Sequence, residues 1–351
     1  MNYIPKRLLI LLVIVVVLSI ISNDRANSQV INRISPDSFA VVILPDTQFY
    51  SKRYFDTYYR QTQWIADNKG KLNIRFAIHL GDITHNNTHE QWYVADEAHR
   101  TLDQTSVAYS MVPGNHDMPK TGTGKDRVRN TSKYNKYFGP SRFKGKKWYG
   151  GHMGNTNDNN FTFFEWKNYK FMDVSLEFAP TDEALTWANK LMEQYKDRRV
   201  IVVTHCYQKS CKVGRTGCGG HKKNCATKYN LKGNGGDTVW EDLISNHRNI
   251  FMVLSGHVAD VEHITRESDA GNEVHEILTN YQRERSDEDD KRSGNGWLRV
   301  LQFDPNENKI HVGSFSVDGV KRFNQTHRYN KDPTHPDHTY SFHYDMNTQV
   351  P

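Results

Sequence analysis

Five apolar runs in this sequence end in a side chain that could bind a metal ion. These side chains belong to Asp46, Asp82, Asn115, His205 and His257. In an α/β sheet, ligands gather outside the carboxyl ends of the strands, so side chains more than 200 positions apart in the chain would meet. One such residue is usually turn chemistry. Five in this order predict a metal site.

The elements that would position these side chains are strands that alternate with helices. Apolar runs predict buried strands at residues 39–44, 74–80, 107–112, 200–203 and 250–254. Helical spacing of apolar residues predicts helices at residues 54–69, 89–102, 181–196 and 238–247. Further strands are predicted at residues 161–166, 169–174, 273–278, 298–303 and 309–315. We therefore expect one continuous α/β domain, with a long surface excursion at residues 120–160.

Short motifs surround each strand end and resemble a known family. They are Asp46-Thr47-Gln48, Gly81-Asp82, Gly114-Asn115-His116-Asp117, Thr204-His205 and Ser255-Gly256-His257. Their ordered succession resembles the calcineurin-like metallophosphoesterase superfamily over about residues 39–305. Gly-Asn-His-Asp is the most specific of these motifs. The resemblance implies a four-layer α/β/β/α sandwich with two central mixed β-sheets and a binuclear metal centre at its top.

The resemblance also implies a set of metal ligands. The family pattern falls on Asp46 and Gln48 for the first ion, on Asn115, His205 and His257 for the second, and on Asp82 as the bridge between them. Mixed oxygen and nitrogen ligands suit Mn, Fe or Zn better than Ca. Two such ions would activate a shared water to hydroxide, which would attack a phosphate mono- or diester.

Two further residues receive catalytic roles from the same resemblance. His116 would protonate the leaving-group oxygen, and Asp117 would orient the imidazole ring of His116. The alternative for His116 is a histidine that only caps a turn.

The chain departs from the family pattern in the first ion's ligands. Gln48 stands where many members have His, and a neutral amide is a weaker ligand than imidazole. The family's Gly-His-x-His would place His at position 259, where this chain has Ala259. Asp260 or His263 could substitute, water could fill the position, or the site could hold one ion tightly.

Four residues are predicted to contact substrate. Tyr281 and Gln282 follow a strand-like run and would line the pocket, although a turn with a packing tyrosine is an equal alternative. Lys222 and Lys223 lie in an insertion at residues 206–232 that contains seven Lys or Arg and no Asp or Glu. This insertion would form a positively charged wall over the cleft, or it is a solvated loop.

All four cysteines lie inside the same insertion, at Cys206, Cys211, Cys218 and Cys225. In an exported protein such residues persist as disulfides, so we expect two local bridges. A structural zinc site with nearby histidines is the rival interpretation, but the spacing lacks a Cys-x-x-Cys knuckle.

The amino terminus has the pattern of a targeting segment. Lys6 and Arg7 precede an apolar run that is shorter than the roughly 20 residues of a membrane span. Residues 1–28 are therefore predicted to be a signal peptide, with an uncleaved anchor as the alternative, and the protein to be secreted or periplasmic. The phosphoesterase domain is predicted at residues 36–323. The tail at 324–351 would pack on the sheet or hang loose.

Composition narrows the classes of function. The chain has 351 residues, 36% of them hydrophobic, and a formal net charge of +6 with Lys and Arg scattered along the sequence. No basic stripe with stacking aromatics is evident, which disfavours nucleic acid as a specific partner. The leading hypothesis is hydrolysis of phosphate esters, with metal ions and substrate as the only partners indicated. The alternatives are a degenerate family member that binds without turnover and a secreted nuclease.

Overall fold

The computed structural model describes residues 35–210, 220–286, 289–321 and 336–348. The predicted signal peptide, Cys211 and Cys218 lie outside the described residues. The strands are β1 Phe39–Leu44, β2 Ile74–His79, β3 Tyr109–Met111, β4 Tyr149–His152, β5 Asn160–Trp166, β6 Tyr169–Leu176, β7 Arg199–Thr204, β8 Gln208–Lys209, β9 Gly220–His221, β10 Ile250–Ser255, β11 Val261–Glu267, β12 Glu273–Thr279, β13 Trp297–Asp304, β14 Lys309–Ser316 and β15 Tyr340–His343. The helices are α1 Gln48–Arg53, α2 Phe55–Asn68, α3 His89–Gln104, α4 Ser132–Phe138, α5 Pro140–Phe143, α6 Asp182–Gln194 and α7 Gly236–Asp242.

The strands form two large mixed sheets. The first has the order β15-β14-β13-β1-β2-β3, and the second has the order β11-β12-β10-β7-β6-β5-β4. Strands β1, β2 and β3 run parallel in the first sheet, as do β6, β7, β10 and β12 in the second. The other neighbours are antiparallel. Because the carboxyl ends of parallel strands share an edge, each sheet gathers its polar loops on one side.

Three apolar layers separate four layers of structure. The two sheets face each other through aromatic side chains such as Phe39 and Phe303, whose rings stack at 4.6 Å. Helices α2 to α5 cover the outer face of the first sheet, and α6 and α7 cover that of the second. The predicted α/β/β/α sandwich is therefore confirmed.

Polar side chains define where the longer helices begin. The hydroxyl of Thr88 accepts a hydrogen bond from the backbone N–H of Gln91 at the start of α3. Thr181 caps α6 in the same way through the N–H of Ala184. Both caps satisfy backbone donors that the first helical turn leaves without a partner. Acidic residues in the first turn add to this through the helix dipole.

Several elements differ from the sequence-based prediction. The helix expected at 238–247 is α7, which ends at Asp242 and is followed by a separate turn of 3-10 helix, Ile244–Asn246. The excursion at 120–160 contains α4, α5 and β4. Strand β11 was not predicted, because it is an edge strand with mostly half-buried polar residues and no apolar run.

The carboxyl-terminal tail contributes a strand to the fold. Strand β15 pairs antiparallel with β14, and Ile310 lies opposite Phe342 in this pairing. Of the two possibilities left open for the tail, packing on the sheet therefore holds for its described part. Among the helices within the described ranges, none has the length and apolar character needed to cross a bilayer.

Candidate metal centre

The structure brings a carboxylate and two imidazoles together at the carboxyl ends of the strands. Asp82 follows β2, His205 follows β7, and His257 follows β10. One possible ligand atom from each of the three lies within 4.8 Å of the other two. Asp82 and His205 are buried, and His257 is partly buried at the cavity. The cluster joins the two sheets, since β2 belongs to one and β7 and β10 belong to the other.

Asp82 lies at the middle of this cluster. Its Oδ2 is 3.3 Å from Nε2 of His205, and its Oδ1 accepts a hydrogen bond from the backbone N–H of His116 at 2.8 Å. Burial acts to raise the pKa of Asp82, but the imidazoles of His205 and His116 outweigh burial and lower it. The carboxylate therefore stays ionised, which is the form that binds a cation.

Glycines allow the neighbouring loops to approach Asp82 and Asp46 closely. A Cβ on Gly114 would lie 2.3 Å from the backbone nitrogen of Asp82, and one on Gly256 would lie 2.5 Å from Oδ1 of Asp46. Asp82 and His257 themselves adopt left-handed backbone angles, with φ of 49° and 65°. Non-glycine residues in this region cost free energy and cluster at functional sites.

A backbone carbonyl orients His205. Nδ1 of His205 donates to the carbonyl oxygen of Leu80 at 2.7 Å, which leaves Nε2 directed at Asp82. Metal-binding histidines commonly use this arrangement to fix the ring tautomer. Burial acts to lower the pKa of His205, but the charges of Asp82 and Asp46 outweigh burial and raise it to about 9. The two buried carboxylates therefore stabilise a positive charge at the position of His205.

Asn115 and His257 are the remaining two ligands predicted for the second ion. Within the described part of the chain, the buried Oδ1 of Asn115 has no hydrogen-bond partner. An acceptor in that condition fits a cation ligand, because burial without a partner is costly. The ring of His257 meets that of His205 edge to face at 5.2 Å. Burial lowers the pKa of His257 well below its ordinary value, so its imidazole is neutral.

The side chains around the position predicted for the first ion are carboxylates and amides. Oδ2 of Asp46 accepts hydrogen bonds from Asn280 at 2.7 Å and from Gln282 at 3.1 Å. Nε2 of Gln48 is 3.4 Å from Oδ2 of Asp82 and also contacts Oε1 of Gln282. Asp46, Gln48 and Asp82 therefore lie together as predicted for the first ion. Asn280 and Gln282 contribute further amides there.

The two substitutes considered for the absent ligand at 259 are placed differently. The ring of His263 lies on β11 and packs against His275 and Tyr340, with its Nε2 3.3 Å from Nδ1 of His275. This position faces β15, so the structure does not bring His263 to the centre. Oδ1 of Asp260 accepts from the backbone N–H of Val261. Its carbonyl oxygen accepts from the backbone N–H of Asn280. Metal binding by Asp260 stays a prediction.

His116 lies at the cavity, and a main-chain carbonyl holds its ring. Nδ1 of His116 lies 2.7 Å from the carbonyl oxygen of His85. The two imidazoles also stack, with centroids 5.0 Å apart. Nδ1 of His85 in turn contacts Oε1 of Gln48 at 2.8 Å. His85 was missed by the sequence analysis, although it lies three residues after Asp82 on the same loop.

Asp117 does not orient the ring of His116, which corrects the sequence-based expectation. Its buried carboxylate accepts from the backbone N–H groups of Gly114, Ile83 and Thr84, and from the hydroxyl of Thr84. These bonds tie the loop after β2 to the loop after β3. Burial raises the pKa of Asp117 to about 7. Asp117 therefore acts on the site through the two loops that it joins, and not through the ring of His116.

The four predicted substrate contacts divide into two groups. Gln282 and Lys222 line a cavity of about 400 Å³ that also exposes Asp82, Asn115, His116 and His257. Tyr281 is buried instead, with its hydroxyl 2.7 Å from that of Ser314, so the packing alternative describes its position. Lys223 is largely exposed and forms an ion pair with Asp237 at 2.9 Å. It does not line the cavity.

One disulfide fastens the insertion to the centre. Cys206, which directly follows His205, is bonded to Cys225. This accounts for one of the two expected bridges. The second expected pair, Cys211 and Cys218, lies outside the described residues.

Comparison with known sequences identifies a family. The sequence profile of the calcineurin-like phosphoesterases matches residues 39–259, which is more than half of the chain. The uncharacterized protein YvnB of Bacillus subtilis strain 168 is 28% identical over 314 residues, covering 86% of this chain and 22% of that protein. The chain thus spans about a fifth of the length of the curated relative it matches.

Comparison with solved structures identifies the fold. A purple acid phosphatase from yellow lupin (Lupinus luteus) seeds is similar with a TM-score of 0.50 and 12% identity, covering 89% of this chain and 55% of that one. A dimetal phosphatase from Danio rerio is similar with a TM-score of 0.49 and 14% identity, covering 80% and 96% of the two chains. At such identities the similarity to the lupin enzyme shows a shared fold and no more.

Proposed function

Because the chain belongs to the calcineurin-like phosphoesterase family, we propose that it hydrolyses phosphate mono- or diesters at a binuclear metal centre outside the cytoplasm. The match to this family confirms the prediction of a metallophosphoesterase. One observation carries the proposal further. Possible ligand atoms of Asp82, His205 and His257 lie within 4.8 Å of one another, and Asn115, whose Oδ1 is buried without a hydrogen-bond partner in the described residues, lines the same cavity.

The donor atoms support two ions of different character. One position would be held by Asp82, Asn115, His205 and His257, whose mixed oxygen and nitrogen atoms suit Zn, Fe or Mn. The other would be held by Asp46, Asp82 and the amide of Gln48, with Gln282 hydrogen-bonded to Asp46 beside them. When bound, such a pair of ions supplies Lewis-acid activation of water and of the phosphoryl group.

The chain's own residues would handle the proton and the substrate. The carbonyl of His85 engages Nδ1 of His116, so Nε2 is the nitrogen left to protonate the leaving oxygen. Asp82 holds the backbone of His116 through its Oδ1, so the proton donor and the metal ligand share one fixed frame. Such fixed placement is what lowers the barrier without reorganisation.

Export is supported by two features. The basic and then apolar amino terminus has the pattern of a signal peptide. The disulfide between Cys206 and Cys225 is a bond that persists in oxidising compartments. We therefore propose a secreted or periplasmic protein, and an anchored one if the leader is not cleaved.

A binding protein without turnover is the second candidate, and one observation favours it. Oδ2 of Asp46 already accepts two amide hydrogen bonds, from Asn280 and Gln282, and Ala259 replaces the second histidine of the family pattern. Those bonds satisfy part of the charge that an ion would otherwise neutralise. In this case the centre would hold one ion tightly.

Metal content and turnover together test the proposal. The purified protein would be analysed for transition metals and then assayed on a panel of phosphate mono- and diesters, before and after chelation and re-addition of metal. Two ions per chain and activity that returns with metal are expected. One ion without turnover would support the binding protein, and metal-independent turnover would contradict both.

A further inference from the structure

Lysine and arginine side chains surround the mouth of the metal centre. The cavity that exposes Asp82 and His257 is also lined by five cationic residues, Lys125, Lys222, Lys228, Arg283 and Arg292. Among its described lining residues, Asp82 is the single acid. The lining of the cavity is therefore positively charged independently of any bound ion.

The three lysines line one cavity, and within the described residues none of them forms an ion pair. None of the ion pairs found across residues 35–210, 220–286, 289–321 and 336–348 includes Lys125, Lys222 or Lys228. Burial and then the charges of Lys222 and Lys125 lower the pKa of Lys228. Holding like charges together costs free energy, and an anion between them would remove that cost.

The segments that carry these lysines are fastened to the metal centre. Arg127 donates from its backbone N–H to the carbonyl of Tyr229 at 2.9 Å. It also donates from Nε to the carbonyl of Asn115 at 2.7 Å. The backbone N–H of Lys222 donates to the carbonyl of Tyr207 at 2.6 Å. A preorganised cluster of this kind differs from surface lysines on mobile loops, because little ordering remains to be done on binding.

The aromatic ring of Tyr229 lies between Lys228 and the ligand His257. Nζ of Lys228 is 5.5 Å from the ring centre of Tyr229, and that ring lies 5.8 Å from the imidazole of His257. Lys228 is thus one ring further from the reacting position than the ligand His257. A phosphoryl group at the metal ligands would therefore leave Lys228 available to a different anionic group of the same molecule.

We propose that Lys125, Lys222 and Lys228 form a second anion-binding subsite that selects small phosphate esters carrying a further phosphate group. This inference rests on the proposed hydrolysis for its orientation, since the first phosphate would occupy the metal centre. Lysine is a compact cationic donor for phosphate oxygens. A cavity of about 400 Å³ matches a small molecule rather than a polymer.

A matched pair of substrates tests the subsite. The metal-loaded protein would be assayed on n-butyl phosphate and 1,4-butanediol bisphosphate, which differ in the second phosphate. KM for the bisphosphate should be lower by about tenfold or more, as one charged hydrogen bond gives. Lys125→Gln and Lys228→Gln should each remove most of this preference and leave KM for n-butyl phosphate nearly unchanged. Lys190→Gln, on the exposed side of α6, removes the same charge elsewhere and should change neither value.

A binding measurement separates failure of the subsite from failure of the hydrolysis. Butylphosphonate and 1,4-butanediphosphonate would be titrated calorimetrically into the protein and both lysine variants. Preference for the diphosphonate that is lost in the variants supports the subsite, even if neither ester is hydrolysed. Equal affinity for the two phosphonates, or equal weakening of both in the variants, overturns it. Tighter binding of a single-stranded oligonucleotide than of the diphosphonate overturns it as well, in favour of a polymer.

Discussion

Gln282 donates a hydrogen bond from Nε2 to Oδ2 of Asp46 at 3.1 Å. Asp46 is a proposed ligand of the first ion, for which the family pattern has a histidine at the position of Ala259. Gln282 follows β12, a strand that neighbours β10, so an adjacent loop supplies a polar group that the loop after β10 lacks. The amide is neutral, and its Nε2 contacts the carboxylate of Asp46 while its Oε1 contacts Nε2 of Gln48.

Replacement of Gln282 should therefore act on one ion. We predict that Gln282→Ala lowers the affinity of the first ion by about tenfold or more, as removal of a group beside the ligands does, and leaves the second ion bound. Ala259→His should have the opposite effect, because it restores an imidazole at the cavity. Metal titration followed by elemental analysis gives the stoichiometry. Loss of both ions in Gln282→Ala would contradict this separation.

Asp82 is the one proposed ligand shared by both ions. Asp82→Asn should abolish tight binding of metal and lower kcat/KM by about a thousandfold or more, since several kcal/mol of charge stabilisation are lost. Asp237→Asn, which removes an acid that pairs with the exposed Lys223, is the matched control. Near-normal turnover in Asp82→Asn would refute the site.

His116 should affect the rate and not the metal. His116→Ala is expected to keep two ions and to lower kcat by about 10² to 10⁴ for esters with poor leaving groups, the range of general acid catalysis. Phosphate esters of phenols with a low pKa have leaving groups that need no proton. The variant should hydrolyse these esters almost as fast as the unmodified protein does. A plot of kcat against leaving-group pKa measures this. Stoichiometric loss of metal would make His116 a ligand instead.

Asp173 gives the stability of the fold a pH dependence. It is fully buried on β6, and burial raises its pKa from 3.8 to about 7, although Ser175 donates to it at 2.8 Å. The folded state therefore favours the protonated carboxyl. This stabilisation is complete below pH 4 and is lost as pH rises through about 7. Asp173→Asn should raise the free energy of unfolding at pH 8 by roughly 4 kcal/mol, since one pKa unit corresponds to about 1.4 kcal/mol.

Denaturant unfolding at pH 5 and pH 8 measures that difference. The gain in Asp173→Asn should be smaller at pH 5, where the carboxyl of the original protein is mostly protonated in the folded state. Asp197→Asn is the control, because Asp197 is exposed and pairs with Lys170. An equal gain at both pH values would show that the effect does not come from titration of Asp173.

Strands β1, β7 and β10, which precede Asp46, His205 and His257, were predictable because each is fully buried. Strands β1, β7 and β10 are apolar at nearly every position, and the polar residue after each stands out against them. The edge strand β11 has no such contrast and was missed. Local pattern thus identifies buried central strands better than half-exposed edge strands.

Parts of the site depended on distances that a sequence does not contain. The direction of the Asp117 carboxylate follows from how two loops meet, so its bonds to Ile83 and Thr84 could not be read from the motif. The contact of Gln282 with Asp46 spans 236 positions. Lys222 and Lys223 are neighbours in the chain, yet the structure turns one to the cavity and pairs the other with Asp237.

At Gly81, Gly114 and Gly256 the backbone of the centre passes too close to neighbouring residues to admit a side chain. A Cβ at any of them would collide with Asp46, Asp82 or His205, so the backbone path has almost no freedom to drift. The side chains around that path face an open cavity and can be exchanged singly. Ala259 stands where the family pattern has a histidine, and Gln282 on a neighbouring loop contacts Asp46. Over evolutionary time, this centre would change its preferred metal or its ester by substitution on a backbone that stays where it is.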